Sequence, residues 1–226
     1  MNDLERQWYD WTMRSGPKPA FLKSRVAYYV AGLEAWHYAD DLQAIARETR
    51  VPIAFTPDHY TYDPLSEKTD AIVYTSEPYA DAITVAGDPR LVVWITADVP
   101  DTDFEVAMSE ILPNGKAIPL ADQQLRARYR ESLESEKLLT PGEPARFEFH
   151  LNWFARQIGK GSRLRVTLTS PNAMDVEKDY NSGGVVADES GADARVAHIR
   201  ILQDPRHQSF LQLPVELPAH AAPAAR

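Results

Sequence analysis

The chain has 226 residues, 44% of them hydrophobic, with a formal net charge of −9 and no cysteine. This length and composition are typical of one folded globular domain with a sizeable core. The acidic balance argues against a nucleic-acid partner, because such binding needs a surplus of lysine and arginine, and the lack of cysteine excludes disulfides and thiolate metal sites.

The amino-terminal residues predict a short helix. Leu4, Trp8 and Trp11 have the spacing of one helix face, which indicates a helix over residues 3–14. The start of the chain lacks the basic residues and the apolar stretch of a signal peptide, so a cytoplasmic location is favoured. No stretch approaches about 18 consecutive apolar residues, so we expect no membrane span and no membrane partner.

The residues that follow the helix predict an extended arm. A strand is expected over residues 25–30, and residues 32–70 are expected to be irregular because prolines interrupt every periodic run. We therefore assign residues 1–70 to a helix and a wrapping arm.

From residue 71 onwards, apolar and polar residues alternate in short segments that are bounded by Pro, Gly, Asn and Asp. This pattern is typical of a two-layer sandwich with half-buried strands. The predicted strands are 72–75, 83–86, 91–97, 104–109, 124–130, 146–151, 163–168, 196–201 and 209–213. The fold class is all-β, an antiparallel jelly-roll sandwich (galactose-binding-like) over residues 71–216, preceded by the short helix and the extended arm.

The alternation also predicts which side chains form the core. The expected inward-facing residues are Phe104, Val106, Phe147, Phe149, Leu164, Val166, Ile199 and Ile201. Residues 217–226 are mostly Ala and Pro, and we expect this tail to be disordered.

Catalytic and metal motifs are weak in this sequence. No Gly-x-Ser-x-Gly nucleophile elbow occurs, a triad built from any of the six histidines is disfavoured, and His150 and His198 are interpreted as surface side chains. Asp175, Glu177, Asp179 and Asn181 alternate in a loop that could suit a hard cation, but an EF-hand would need Gly at Tyr180 and Glu at Val186. A solvated loop is favoured, and we expect no metal and no cofactor.

Two aspartates precede a predicted strand and invite comparison with a catalytic carboxylate pair. Asp101 and Asp103 could instead accept backbone hydrogen bonds and pair with arginines of a neighbouring strand. Those arginines are Arg126, Arg128 and Arg130. The structural interpretation is favoured.

Tryptophan placement predicts an interface. Residues 91–97 are apolar on both faces, so this strand needs cover on both sides. Trp8, Trp11 and Trp36 of the arm could cover the face of Trp94, or they could dock on another domain. Both possibilities remain open at this point.

Several short motifs resemble the carboxy-terminal domain of the X-Pro dipeptidyl-peptidase and cocaine-esterase-like (CocE/NonD) serine hydrolases. The ordered motifs are 101–104 (Asp-Thr-Asp-Phe), 112–115 (Leu-Pro-Asn-Gly), 125–130 (Leu-Arg-Ala-Arg-Tyr-Arg), 161–166 (Gly-Ser-Arg-Leu-Arg-Val) and 181–184 (Asn-Ser-Gly-Gly). Upstream, 8–10 (Trp-Tyr-Asp) and 26–30 (Val-Ala-Tyr-Tyr-Val) are similar to the helix and strand that lead into the family's sandwich. The resemblance covers roughly residues 4–215, and it departs from the pattern at Ser162 and over residues 171–180.

The resemblance implies an α/β-hydrolase domain with a Ser-His-Asp triad, a helical cap and a jelly roll packed beside them, of which this chain supplies the jelly roll. The arm over 1–70 would then be the end of the α/β-hydrolase region. The family-motif positions expected to be structural are Asp101, Asp103, Arg126, Arg130, Arg163 and Asn181.

The leading hypothesis is a non-catalytic domain that stabilises and caps a hydrolase acting on ester or peptide bonds. Its partner would be that catalytic domain, on a separate chain or as a missing part, or a second copy through self-association. The alternative is a free-standing carbohydrate- or ligand-binding module in which Trp36, Trp94 or Trp153 forms a stacking platform. Intrinsic activity through an unrecognised site is a third possibility, since fold alone does not fix function.

Overall fold

A computed structural model describes residues 3–68, 70–171 and 177–217 of the chain. One helix, α1 (Asp3–Arg14), precedes fourteen strands in these ranges. The strands are β1 (Val26–Val30), β2 (Ala35–Ala39), β3 (Ala46–Pro52), β4 (His59–Tyr62), β5 (Ala71–Thr75), β6 (Ile83–Gly87), β7 (Arg90–Ala97), β8 (Asp103–Ile111), β9 (Ala117–Arg126), β10 (Ala145–His150), β11 (Phe154–Ile158), β12 (Arg163–Thr169), β13 (Ala197–Leu202) and β14 (Phe210–Glu216). No helix among the described residues is long and apolar enough to cross a membrane.

The strands form a two-layer antiparallel sandwich with a separate hairpin. The larger sheet has eight strands in the path β11-β6-β14-β7-β13-β4, with β10 on β7 and β3 on β14. The smaller sheet has the order β5-β12-β8-β9, and β1 pairs only with β2. The prediction of an all-β antiparallel sandwich is confirmed, as is the helix over residues 3–14.

Three phenylalanines fill the space between the two sheets. Phe104 on β8 meets the Phe147 ring edge-on at a centroid distance of 5.0 Å, and Phe147 stacks on Phe149 at 6.1 Å. All eight residues that were predicted to face inward are buried, so that prediction is confirmed.

The prediction of an irregular segment over residues 32–70 is wrong, since β2, β3 and β4 lie within it. The prolines bound these strands instead of interrupting them, because Pro52 is the last residue of β3. Two of the strands extend the larger sheet, β3 along β14 and β4 along β13. The domain division at residue 71 remains a prediction.

Two further differences concern β9 and β11. The predicted strand 124–130 ends at Arg126, where a short 3-10 turn begins, because Arg130 N–H donates to Ala127 C=O and closes the turn. Sequence reasoning missed β11 entirely. The predicted disorder of the tail falls, from residue 218 on, outside the described residues.

One carboxylate helps to attach the β1–β2 hairpin to the sandwich, beside the bridge between Ala31, which follows β1, and Arg156 of β11. Glu216, at the end of β14, accepts a 2.5 Å hydrogen bond from the Tyr28 hydroxyl, and its Oε1 lies 2.6 Å from His37 Nδ1. Burial, together with this hydrogen bond to Glu216, raises the pKa of the Tyr28 hydroxyl. Tyr28 therefore stays a neutral donor, and the hairpin is held at a defined place beside β14.

Candidate docking surface and buried charge cluster

Two arginines on β9 and the turn after it bind the two aspartates. Arg126 donates two hydrogen bonds to Asp103, from Nε to Oδ1 at 2.9 Å and from Nη2 to Oδ2 at 3.0 Å. Arg128 donates from Nε to Asp101 Oδ2 at 2.5 Å and from its backbone N–H to Oδ1 at 2.9 Å. Such two-point pairs fix orientation, and they favour the structural role that the sequence suggested for both aspartates.

The third arginine does not join this cluster. Arg130 is held by the carbonyl oxygens of Ala127, at 3.0 Å, and of Lys137. The expectation that it pairs with Asp101 or Asp103 is therefore wrong. The reason is that the turn after β9 directs the Arg130 side chain toward carbonyl groups of the same loop.

A third aspartate completes the charge cluster from the opposite side. Asp179 is buried, and its Oδ1 accepts a 2.6 Å hydrogen bond from Asn181 N–H. Asn181 adopts a left-handed conformation, with φ of 65°, and its side chain donates to Arg195 C=O at 2.7 Å. Asparagine tolerates this region better than most residues, which explains its place in the motif.

Electrostatics decide the protonation of the cluster. Burial, followed by the nearby Asp101 carboxylate with which it shares a hydrogen bond, raises the pKa of Asp179 to about 8. At neutral pH, Asp179 therefore holds a proton that it can donate to Asp101. The charged carboxylates of Asp101 and Asp103 then face two guanidiniums, which also approach the exposed carboxylates of Glu177 and Glu136. This arrangement joins the 177–195 segment to β8 and β9.

Asp179 gives the chain a pH-dependent stability. The folded chain keeps this proton up to about pH 8, whereas an unfolded aspartate releases it near pH 3.9. The folded state thus binds more protons across this window, and the contribution of Asp179 to stability falls as the pH rises from about 4 to about 8. Asp179→Asn, which keeps a donor toward Asp101, is expected to reduce this fall in pH-dependent urea denaturation.

The matched control for that measurement is Asp122→Asn, because Asp122 is exposed on β9. Its pH profile should follow that of the parent chain. Equal pH slopes for the parent and Asp179→Asn would contradict the assignment of the proton.

Two other motif positions are also structural. Arg163 donates from Nη1 to Ser76 C=O at 2.7 Å and connects β12 to the end of β5. Ser162, which departs from the family pattern, is buried and hydrogen-bonds Glu110. Glu110 also accepts a 2.6 Å bond from Arg156 Nε. The described residues contain no group of three or more His, Asp or Glu placed to hold a metal. Asp175 of the proposed cation loop lies outside the described ranges.

The most exposed apolar surface lies on α1. No residue of this helix is buried, although it carries four large apolar side chains that reach solvent. Trp8 is 44% exposed and meets Trp11 edge-on at 5.5 Å. We call this the α1 surface; its exposed members are Leu4, Trp8, Tyr9 and Met13.

The predicted tryptophan interface is divided between three places. Trp36 is half-buried on the hairpin, where Phe21 and Tyr29 flank it at 6.1 and 5.6 Å. Trp94 lies on β7, edge-on to His207 at 5.0 Å. Sequence reasoning missed the exposure of Tyr9 and Met13, although their spacing of four residues on a helix was a usable signal.

Comparison with known proteins identifies the family to which this chain is similar. The model of the X-Pro dipeptidyl-peptidase C-terminal non-catalytic domain matches residues 19–212. Cocaine esterase from Rhodococcus sp. (strain MB1 Bresler) is 30% identical over 152 residues, which are 67% of this chain and 26% of that protein. The chain therefore spans about a quarter of this curated relative.

Solved structures share the architecture at lower identity. An aminopeptidase from a marine sediment Thaumarchaeota archaeon gives a TM-score of 0.80 at 19% identity, covering 95% of this chain and 44% of that one. An α-amino acid ester hydrolase gives 0.77 at 18%, covering 94% and 44%. A CocE/NonD family hydrolase from Staphylococcus aureus gives 0.71 at 16%, covering 95% and 46%.

The two packed antiparallel sheets define an all-β sandwich domain. The chain belongs to the X-Pro dipeptidyl-peptidase C-terminal non-catalytic domain family. It is the accessory domain found in CocE/NonD-like hydrolases.

Proposed function

We propose that this domain docks on an α/β-hydrolase catalytic domain through the α1 surface, and that the assembly hydrolyses ester or amide bonds. The observation that carries the proposal is the exposure of α1: Leu4 and Trp8 on one face and Tyr9 and Met13 on the opposite face all reach solvent, and no residue of the helix is buried. Most helical stability in proteins comes from packing such a face. A covering domain would supply it.

The β1–β2 hairpin carries further apolar side chains that reach solvent. Tyr29 is 43% exposed and Leu33 is 41% exposed, and both precede the half-buried Trp36. Aromatic side chains that cluster in this way are typical of the centre of a protein interface. A stable interface buries about 800 Å² on each partner, more than the four side chains of α1 alone would supply. We therefore include the hairpin in the proposed contact.

Co-purification tests the proposal. The chain would be co-expressed with the coding sequence that precedes it, which we expect to contain a Gly-x-Ser-x-Gly elbow. The two should purify as one complex, and Trp8→Ser with Met13→Ser should weaken the complex by at least about tenfold in dissociation constant. Leu65→Ser is the matched control, because Leu65 is exposed in the loop after β4, outside α1 and the hairpin, and should leave binding unchanged. A preceding sequence without the elbow, or a complex unaffected by the α1 variants, would contradict the proposal.

The domain alone should be inactive. The purified chain is expected to show no turnover of p-nitrophenyl esters or X-Pro amides above the buffer rate, because the sequence has no nucleophile elbow. Turnover that survives repurification and disappears in Ser76→Ala, Ser162→Ala or Ser182→Ala would overturn this expectation.

A further inference from the structure

Strand β10 lies at an open edge of the larger sheet. Its only strand partner among the described residues is β7, with Phe147 opposite Val93. The N–H of Leu151 donates to Pro89 C=O. This bond shows which residues of β10 turn their backbone groups toward β7, because every second residue does so in an antiparallel pair. The backbone groups of residues 147 and 149 therefore face β7, while those of Arg146, Glu148 and His150 face away from it.

The free side of β10 opens into a groove of about 1020 Å³. Leu125 of β9 lines one wall, and Tyr129 and Leu133 of the following loop line another. Leu133 is 82% exposed. The groove gives room for an added strand, and its walls offer apolar side chains for that strand to contact.

Three of the other edge strands are less open. Strand β11 is covered by a bridge between Ala31 and Arg156, and β5 by a bridge between Thr56 and Val73. Strand β9 carries Pro119, and a register shift interrupts its pairing with β8. Bridges, prolines and bulges are the usual ways in which proteins block an edge. By contrast, β10 contains no proline.

The charges on β10 favour a second copy as its partner. We propose that two copies of this chain pair through antiparallel β10 strands, with Phe147 opposite Phe147 at the two-fold axis. Arg146 of each copy then lies directly opposite Glu148 of the other, and both residues turn their N–H and C=O groups toward the partner. Opposite charges at such positions stabilise a strand pair. Moving the register by one residue in each copy would place Glu148 against Glu148 and is disfavoured.

The side chains are already positioned for this contact. Arg146 Nη2 lies 2.7 Å from Glu148 Oε2 within the chain, and the two side chains are 46% and 28% exposed. Arg90 Nη1 also approaches Glu148, at 3.5 Å. Positive and negative side chains therefore alternate across β7 and β10. In the two-fold dimer, this alternation continues onto β10 of the other copy. The proposal is independent of the α1 surface and extends the function above to a two-fold assembly.

Sedimentation of the full chain tests this pairing. Trp8→Ser with Met13→Ser serves as the background, so that association through α1 is removed. We expect a dimer at high micromolar concentration. Glu148→Arg, which sets Arg against Arg146 of the other copy, should raise the dimer dissociation constant at least about tenfold. The exchange Arg146→Glu with Glu148→Arg restores opposite charges and should return the constant to near the background value.

Arg165→Glu is the matched charge reversal, since Arg165 is exposed on β12 of the other sheet, and it should not change the dimer. Hydrogen exchange needs no variant: the amides of Arg146 and Glu148 should become protected as the concentration rises. A monomer at the highest soluble concentration, unprotected amides in a dimer, or a charge exchange that folds without restoring association would overturn the proposal.

Discussion

Phe149→Ala is expected to lower the free energy of unfolding by about 3–5 kcal/mol, because it removes a fully buried ring and leaves a cavity. Phe149 is 1% exposed and stacks on Phe147 at the centre of the sandwich. Urea denaturation followed by tryptophan fluorescence would measure the change. Phe210→Ala is the control, since Phe210 is only partly buried on β14, and its loss should cost less. A change under about 1 kcal/mol for Phe149→Ala would mean that the ring is not part of the core.

Arg128→Ala should have a comparable effect through a different mechanism. Both members of the Arg128–Asp101 pair are buried, at 4% and 0% exposure of their side chains. Removal of the guanidinium leaves a buried carboxylate without its counter-charge, which costs about 3–5 kcal/mol in such pairs. The same denaturation experiment measures the loss.

The control for Arg128→Ala is Lys137→Ala. Lys137 pairs with Glu131 at 2.7 Å, but both side chains are more than half exposed, and exposed pairs contribute at most about 1 kcal/mol. Equal losses for the two variants would show that burial of the Arg128 pair has no energetic consequence.

The sandwich was predictable because its core strands alternate clearly. Phe104 and Val106 on β8 and Leu164 and Val166 on β12 follow the period of two, and each of these four is buried. The local sequence pattern is sufficient to predict a strand where one face of the strand is buried and the other is exposed to solvent. The same logic found the partners of Asp101 and Asp103, because arginines near a strand entry suit buried carboxylates.

The arm was less predictable because β3 lacks that alternation. Strand β3 reads Ala-Arg-Glu-Thr-Arg-Val-Pro and has no apolar face, yet it pairs along the whole of β14. The conformation of β3 is determined by backbone pairing with a strand that is distant in sequence. The residues of β3 alone do not indicate that pairing. The proton on Asp179 was also beyond sequence reasoning, since it depends on the approach of Asp101 from another loop.

Hydrogen exchange on the chain, alone and with its catalytic domain, tests the central claim most directly. The amides of α1 should exchange fast in the isolated chain, because α1 has no buried residue, and they should slow on binding together with those of the β1–β2 hairpin. The amides of β12, in the middle of the smaller sheet, should exchange slowly in both states. Protection confined to α1 and the hairpin is the predicted result; unchanged exchange in α1 on binding would contradict the docking of this domain through that surface.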